Sequence, residues 1–269
     1  SILNGGLTGA LNLATAGELS LTEAAEVAST ALNAFKSDNL SVTDAANQLA
    51  GAANASATDV HELKYGLSAV AAVASGVGMS FNDTTNALAV FAQNGLKGSD
   101  AGTSLKTMLL NLSPQTKAAT VQMQELGIIT ADGANKFYTA EGKLKSFSEI
   151  SQILQDSLKG LTAEQQQNAL KTMFGTDAIR AANIAMKEGA AGADAMQAAI
   201  SKVTAADVAK EKLNNLKGAV EYLSGSFETL QIKIGTAVLP ILTDLVKWLD
   251  KLVSKFSDSA GLQKFLDSL

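Results

Sequence analysis

Thr58-Asp-Val-His-Glu-Leu-Lys-Tyr-Gly-Leu-Ser-Ala-Val-Ala-Ala-Val-Ala-Ser-Gly76 opens on a helix start and closes on a helix stop. Thr58 places a hydroxyl where it accepts an orphan backbone N–H at a helix N-terminus, with Glu62 following in the first turn. The run behind it stops at Gly76 and Gly78, where a left-handed position past the last turn favours glycine. A helix over 58–75 is predicted. From Tyr65 to Asn82 the chain carries no charge over about the 18 residues that a membrane span needs. Ser68, Ser75 and Ser80 with Gly66, Gly76 and Gly78 leave that run only weakly apolar, so it reads as a buried helix.

The same start and stop signals recur outward in both directions. Ser41-Val-Thr-Asp44 and Thr162-Ala-Glu-Gln165 are further starts, and Asn94-Gly95, Gly127, Gly175 and Gly189 are further stops. Helices are predicted at 2–16, 20–36, 42–54, 58–75, 81–94, 100–112, 115–126, 147–160, 162–174, 177–188, 191–202, 205–238 and 241–256. One segment breaks the pattern. Ile128 to Gly133, then Lys136 to Thr139, a turn at Ala140-Glu-Gly142 and Lys143 to Lys145 read as a small β-hairpin insertion near 128–145, resting on helices because a two-stranded ribbon is marginal alone.

Composition agrees with a helical bundle. Of 269 residues 46 are alanine, and there are only 9 Phe, 3 Tyr and 1 Trp. Alanine is the best helix former and has no side-chain bulk, which favours helices in close approach. The predicted fold class is all-α: a multi-helix, Ala-rich bundle with the hairpin insertion and a long C-terminal amphipathic, coiled-coil-like segment. Two regions are expected, an Ala-rich core at 1–203 and the amphipathic segment at 204–269. In the second, Leu213, Leu216, Val220, Leu223, Phe227, Leu230 and Ile234 alternate steps of three and four. Val238, Leu242, Leu245, Leu249, Leu252 and Phe256 continue the stripe after one extra step of four. Pro240 sits at that step and removes a helix hydrogen bond, so a kink near 236–240 is predicted. The two arms either fold on each other or continue as an offset rod. An ordinary helical hairpin of the bundle and a parallel self-association seam through 205–256 both fit the pattern.

Most catalytic classes drop out early. The chain has no cysteine and one histidine, His61, so disulfides, thiol nucleophiles and multi-histidine metal sites are excluded. His61 beside Glu62 and near Lys64 reads as a solvated or capping residue. Glu23 with Glu26 and Asp207 with Glu211 read as solvated helix faces, not general acid/base pairs. The glycine-rich stretch Gly95-Leu-Lys-Gly-Ser-Asp-Ala-Gly-Thr-Ser-Leu105 fails as a phosphate loop, because Thr103 rather than lysine follows Gly102 and no strand precedes it. Ser99 or Asp100 is expected to cap the helix that starts there. No catalytic, cofactor-binding or metal-ligating residue is assigned, no cofactor is expected, and the protein is expected not to be an enzyme. A lytic hydrolase module would lack its acid/base pair.

Charge restricts partners. Lys+Arg 21 against Asp+Glu 26 gives a net charge of −5, and Arg180 is the only arginine, so direct sequence-specific nucleic-acid binding is not expected. Lys233, Asp244, Lys247, Asp250, Lys251 and Lys255 interrupt the apolar C-terminal region and make it amphipathic, not membrane-spanning. The start at Ser1, with no basic region before a cleavage site, reads as a piece cut from a longer chain.

Asn54-Ala-Ser-Ala-Thr-Asp-Val60, the Gly95–Leu105 stretch, Glu125-Leu-Gly127, Phe174-Gly175, Asn215-Leu-Lys-Gly218 and Leu239-Pro240 together resemble the core region of phage tail tape measure proteins, from about residue 10 to 255. The order and spacing of these elements carry the resemblance, with Gly95–Leu105 the best single marker. It implies a structural virion protein in the lumen of the tail tube that acts in tube assembly and length determination and is ejected ahead of DNA. The implied partners are the tail tube protein, tail tip or baseplate proteins and tail assembly chaperones, with transient contact with the host envelope. The implied locations are the virion tail lumen, the host cytoplasm during assembly and the host cell envelope on infection. At about 1.5 Å per residue a fully helical chain would reach only about 400 Å, and the many caps fold it back, so length is expected to be encoded elsewhere. Small-residue packing over 1–202 implies unfolding at modest cost, since each buried methyl contributes little. The alternative from another class is a helical membrane-active translocator or toxin-like protein, also Ala/Gly-rich, cysteine-free and amphipathic.

Overall fold

The computed structural model describes the backbone of residues 5–234, 244, 246–251 and 254, and the side chains of the same residues except 221–234. Ten α-helices form among the described residues, with one short 3-10 turn at Lys36–Asp38. They are α1 (Leu7–Gly17), α2 (Leu21–Ala34), α3 (Val42–Ala55), α4 (Val60–Gly76), α5 (Phe81–Gln93), α6 (Gly98–Leu110), α7 (Lys117–Glu125), α8 (Phe147–Leu158), α9 (Ala163–Ile200) and α10 (Ala205–Ile234). The chain divides into two compact units, Ser1–Ala206 and Asp207–Leu269.

Side-chain caps explain where the helices begin. Ser20 with Glu23, Ser41 with Asp44, Ser146 with Glu149 and Thr162 with Gln165 form reciprocal capping boxes, each satisfying two backbone donors. At α4 the cap is Asp59, whose Oδ1 accepts from the Glu62 N–H at 2.7 Å, and not the Thr58 hydroxyl. At α6 the residue before the helix is Lys97, with no side-chain cap, so the expectation for Ser99 or Asp100 fails: both lie inside the first turn. Ser41 and its backbone N–H together hold the Asp44 carboxyl below its ordinary pKa of 3.8. Ser41→Ala is expected to cost about 1 kcal/mol and to move the Asp44 titration upward. Urea unfolding and a carboxyl NMR titration check the two parts, and an unmoved Asp44 would contradict the box.

The expected β-hairpin is not there. Two isolated antiparallel bridges, Ile129 with Asn135 and Tyr138 with Leu144, stand in its place, and no strand forms among the described residues. The middle segment cannot stay extended because Asn135 ties it down. Its Nδ2 donates to the Leu112 carbonyl at 2.8 Å, its Oδ1 accepts from the Phe137 N–H at 3.0 Å, and its carbonyl accepts from Tyr138 N–H at 3.0 Å. That bend sends the Phe137 ring into full burial beside Phe174, 6.5 Å between centroids. Burying one Phe outweighs what a marginal ribbon would add.

Three ring pairs run through a core otherwise shared between alanine and Leu, Ile, Val and Met. Besides Phe137–Phe174, Phe35 at the end of α2 meets Phe81 at the start of α5 edge-on at 5.5 Å, and Phe91 of α5 meets Phe147 of α8 at 5.8 Å. All six rings are fully buried, and such pairs contribute beyond their burial alone.

The three helices predicted at 162–174, 177–188 and 191–202 are the arms of one segment, α9, interrupted where Gly175 (φ 80°, ψ 176°) and Gly189 (φ 59°, ψ −161°) leave helical geometry. Both glycines occupy a region that is essentially closed to other residues. The first two arms fold back on each other. Gln167 and Asn183 exchange amide hydrogen bonds of 2.6 and 3.0 Å although sixteen residues apart.

In the second unit, α10 continues helical to Ile234, with Leu216 exposed and Leu213 half-buried. Of the predicted stripe, Leu249 is described as half-buried and helical. The kink near Pro240 lies outside the described residues.

Candidate functional site

The Gly95–Leu105 stretch becomes a helix crossing. Gly95 ends the turn after α5 with φ +83°, and α6 begins at Gly98. A Cβ on Gly102 would strike the Gly66 carbonyl oxygen of α4 and come within 2.8 Å of the Ala69 Cβ. The two backbones are therefore in direct contact, a separation only glycine permits. Leu105 is fully buried, and Asp100 forms an exposed ion pair with Arg180 of α9 at 3.3 Å.

Ser104, one turn beyond Asp100, reaches α9. Its Oγ donates to the Asp177 carbonyl at 2.7 Å and accepts from the Ala181 N–H at 3.2 Å, gripping the first turn after the Gly175 elbow. Asn111, just past α6, donates to the Phe174 carbonyl at 3.0 Å on the other side of that elbow. The second elbow is held from α8. Gln155 Nε2 donates to the Met186 and Lys187 carbonyls at 3.3 and 3.2 Å, and Gln152 Oε1 accepts from the Ala190 N–H at 3.1 Å. Asn86 of α5 is buried and donates to the Ala193 carbonyl at 3.0 Å in the third arm. Buried backbone groups need such partners. None of these five side chains was singled out in the sequence for this role.

Of the sequence candidates for chemistry, the structure brings His61 and Lys64 of α4 together with Glu23 and Glu26 of α2. His61 lies 3.9 Å from a Glu23 oxygen and 3.1 Å from the Tyr65 hydroxyl, with its ring edge-on to the Tyr65 ring, on an exposed α2–α4 face. Lys64 pairs with Glu26 at 2.9 Å nearby. Asp207 and Glu211 are exposed on α10. Among the described residues no three His, Asp or Glu side chains come together as a metal site would require. No described helix is long and apolar enough to cross a membrane.

The first unit carries concavities on its surface. One is an open groove between α2 and α4, floored by Ala25, Ala34, Ala71 and Ala72. Another is a polar recess where Asp38, Asp44, Asn47 and Gln48 meet Asn82 and Thr204. Its polar groups cap backbone: Asp38 accepts from Phe81 N–H at 2.7 Å, and Asn47 Oδ1 accepts from Ala205 N–H at 2.9 Å.

Asp83 is a carboxyl pushed upward. Burial raises its pKa above the ordinary 3.8 and outweighs the Phe147 N–H and Ser80 bonds that oppose it, with Glu149 and Asp38 adding like charge. A raised pKa means the folded state holds this proton more tightly than the unfolded state. The resulting stability is complete below 3.8 and is lost as pH rises through the folded value. Asp83→Asn keeps the oxygen that accepts from Phe147. It is expected to help stability relative to Asp83 at pH 7, with that advantage shrinking as pH falls toward 4. Urea melts of both proteins across this range test the sign, and an advantage that grows in acid would refute it.

Residues 1–175 match the family model described as phage-related minor tail protein. Over 252 residues, 93% of this chain, the sequence is 27% identical to the "Tape measure protein" of Pneumococcus phage Dp-1, covering 21% of that protein. Over 254 residues it is 27% identical to the "Probable tape measure protein" of Escherichia phage P2, again 93% of this chain and 29% of that protein. The chain thus spans less than a third of the length of these relatives. No solved structure matches.

Proposed function

The chain belongs to the phage-related minor tail protein family, a component of phage tails, and from that premise we propose that it is a structural, non-enzymatic module of a tape measure protein. The observation that carries this reading is similarity along 93% of the chain to two tape measure proteins that extend well beyond it. The whole protein acts in tail tube assembly and length determination, lies in the tail lumen and leaves ahead of the DNA. It works with tail tube, tail tip or baseplate proteins and with tail assembly chaperones in the host cytoplasm, and touches the host envelope transiently on infection. Residues 205–256 self-associate along the apolar stripe, on which Leu216 is exposed. The membrane-active reading draws no support from the described helices, none of which is long and apolar enough to span.

A map of the intact particle tests the module. Density for the folded 7–200 bundle at the tail tip or inside the tube is the expected result. Its presence only in the capsid, or in no part of the virion, would refute the reading. In-frame removal of residues 1–269 from the full-length protein adds a second test. With length encoded elsewhere, any tails that form shorten by far less than the roughly 400 Å of an extended helix of this size.

A further inference from the structure

The two elbows of α9 share an unusual arrangement of donors and acceptors. A residue out of helical geometry parts the carbonyls before it from the amides after it, so the i to i+4 pairs that span it lose their partners. Across Gly189 one such pair is Met186 carbonyl with Ala190 N–H, and both halves are taken by α8, through Gln155 and Gln152. Across Gly175 the Phe174 carbonyl of the spanning pair is taken by Asn111, while Ser104 holds the next turn at Asp177 and Ala181. Asn111, Gln152 and Gln155 thus supply bonds that the helix itself would supply if straight, and Ser104 anchors the turn beyond the first elbow. The elbows carry no other obstacle to helix. No proline lies between 163 and 200, and Thr176, Asp177, Ala190 and Ala191 flank the two glycines.

We propose that residues 163–200 are a two-state segment whose second state is one unbroken helix, and that the α6- and α8-side clamps hold the folded-back state against it. The unbroken state is 38 residues, about 57 Å long. It exchanges the Asn111, Gln152 and Gln155 bonds for the intrahelical bonds they replaced, gives up the Ser104 bonds to α9, and releases the Gln167–Asn183 pair, which would then lie about 24 Å apart along the axis. The folded state wins in the intact bundle because α9 packs against α3, α5, α6, α7 and α8. Whatever withdraws α6 or α8 favours the straight form. This inference stands on the elbow geometry alone, independent of the role in the tail.

The absence of native cysteine allows a direct test in the full chain. Spin labels at Glu164→Cys and Lys187→Cys, both exposed, sit one turn beyond the Gln167–Asn183 pair on adjoining arms. They should give a separation under about 20 Å when folded and about 35 Å when straight. Gly175→Ala, at a φ that alanine avoids, should raise the ratio of long to short distances about tenfold or more, with helical circular dichroism undiminished. Asn111→Ala and Ser104→Ala should raise it with the glycine untouched. For the second elbow, Gln152→Ala with Gln155→Ala should bring out a separation near 51 Å between labels at Glu164→Cys and Ala198→Cys. A Gly175→Ala protein that keeps only the short distance overturns the proposal. So does one that loses helicity with no 35 Å component, or a clamp variant whose ratio stays at the native value.

Discussion

Gly102→Ala is expected to destabilise the first unit by about 2–3 kcal/mol, a fall in melting temperature of roughly 5–10 °C for about 200 residues. The added methyl would have to occupy the place of the Gly66 carbonyl oxygen, and the Ala69 Cβ is already only 2.8 Å from it. Neither neighbour can give way by changing rotamer, since one is backbone and the other a methyl. The α4–α6 pair must separate, and α6 carries Ser104 and Asn111 away from the Gly175 elbow with it. Gly76→Ala is the matched control. Nothing lies within 4 Å of its Cβ position, and it ends a helix at ordinary φ. That change should be neutral or stabilising by up to about 1 kcal/mol. Thermal melts that cannot tell the two variants apart would contradict contact between the backbones.

Phe91→Ala is expected to cost about 3–5 kcal/mol, a large share of the roughly 5–15 kcal/mol that domains possess. The ring is fully buried and sits edge-on to Phe147 at 5.8 Å. Its neighbours along α5 are Ala87, Leu88, Ala89, Val90 and Ala92, all buried. The alanines among them have no rotamers with which to fill a void, so much of the cavity stays open. Ala89→Gly, also in the core, removes one methyl and should cost only about 1 kcal/mol. Urea unfolding at fixed pH compares them. A Phe91→Ala cost near that of Ala89→Gly would mean the core can collapse around the loss, contradicting the expected open cavity.

The helical class was legible in the sequence because alanine content, hydroxyl starts and glycine stops all point the same way. Glycines at the stops were informative at Gly78, Gly95 and Gly127, which do adopt positive φ. Gly175 and Gly189 carried a second meaning that local reading misses. They end an arm, yet the chain resumes helix at once, so they turn a helix without replacing it by a loop. The hairpin was misread for a tertiary reason: Asn135 answers to the Leu112 carbonyl, a partner 23 residues away that no local pattern reveals. Asn86, Asn111, Gln152 and Gln155 were invisible for the same cause. Asn and Gln on helices are ordinarily surface residues, and only the folded elbows give them something to hold. For His61, Glu23 and Glu26 the solvated-face reading agrees with their positions on the exposed α2–α4 face.

The α4–α6 contact also bears on how such a module drifts over generations. A leucine in the interior has several near-equivalents, and its neighbours can repack around them. A glycine wedged against a carbonyl has none, so that position is frozen while its surroundings wander. In a lineage losing most of its recognisable letters, a position such as Gly102, with no side chain at all and a carbonyl where one would stand, should be among the last to go.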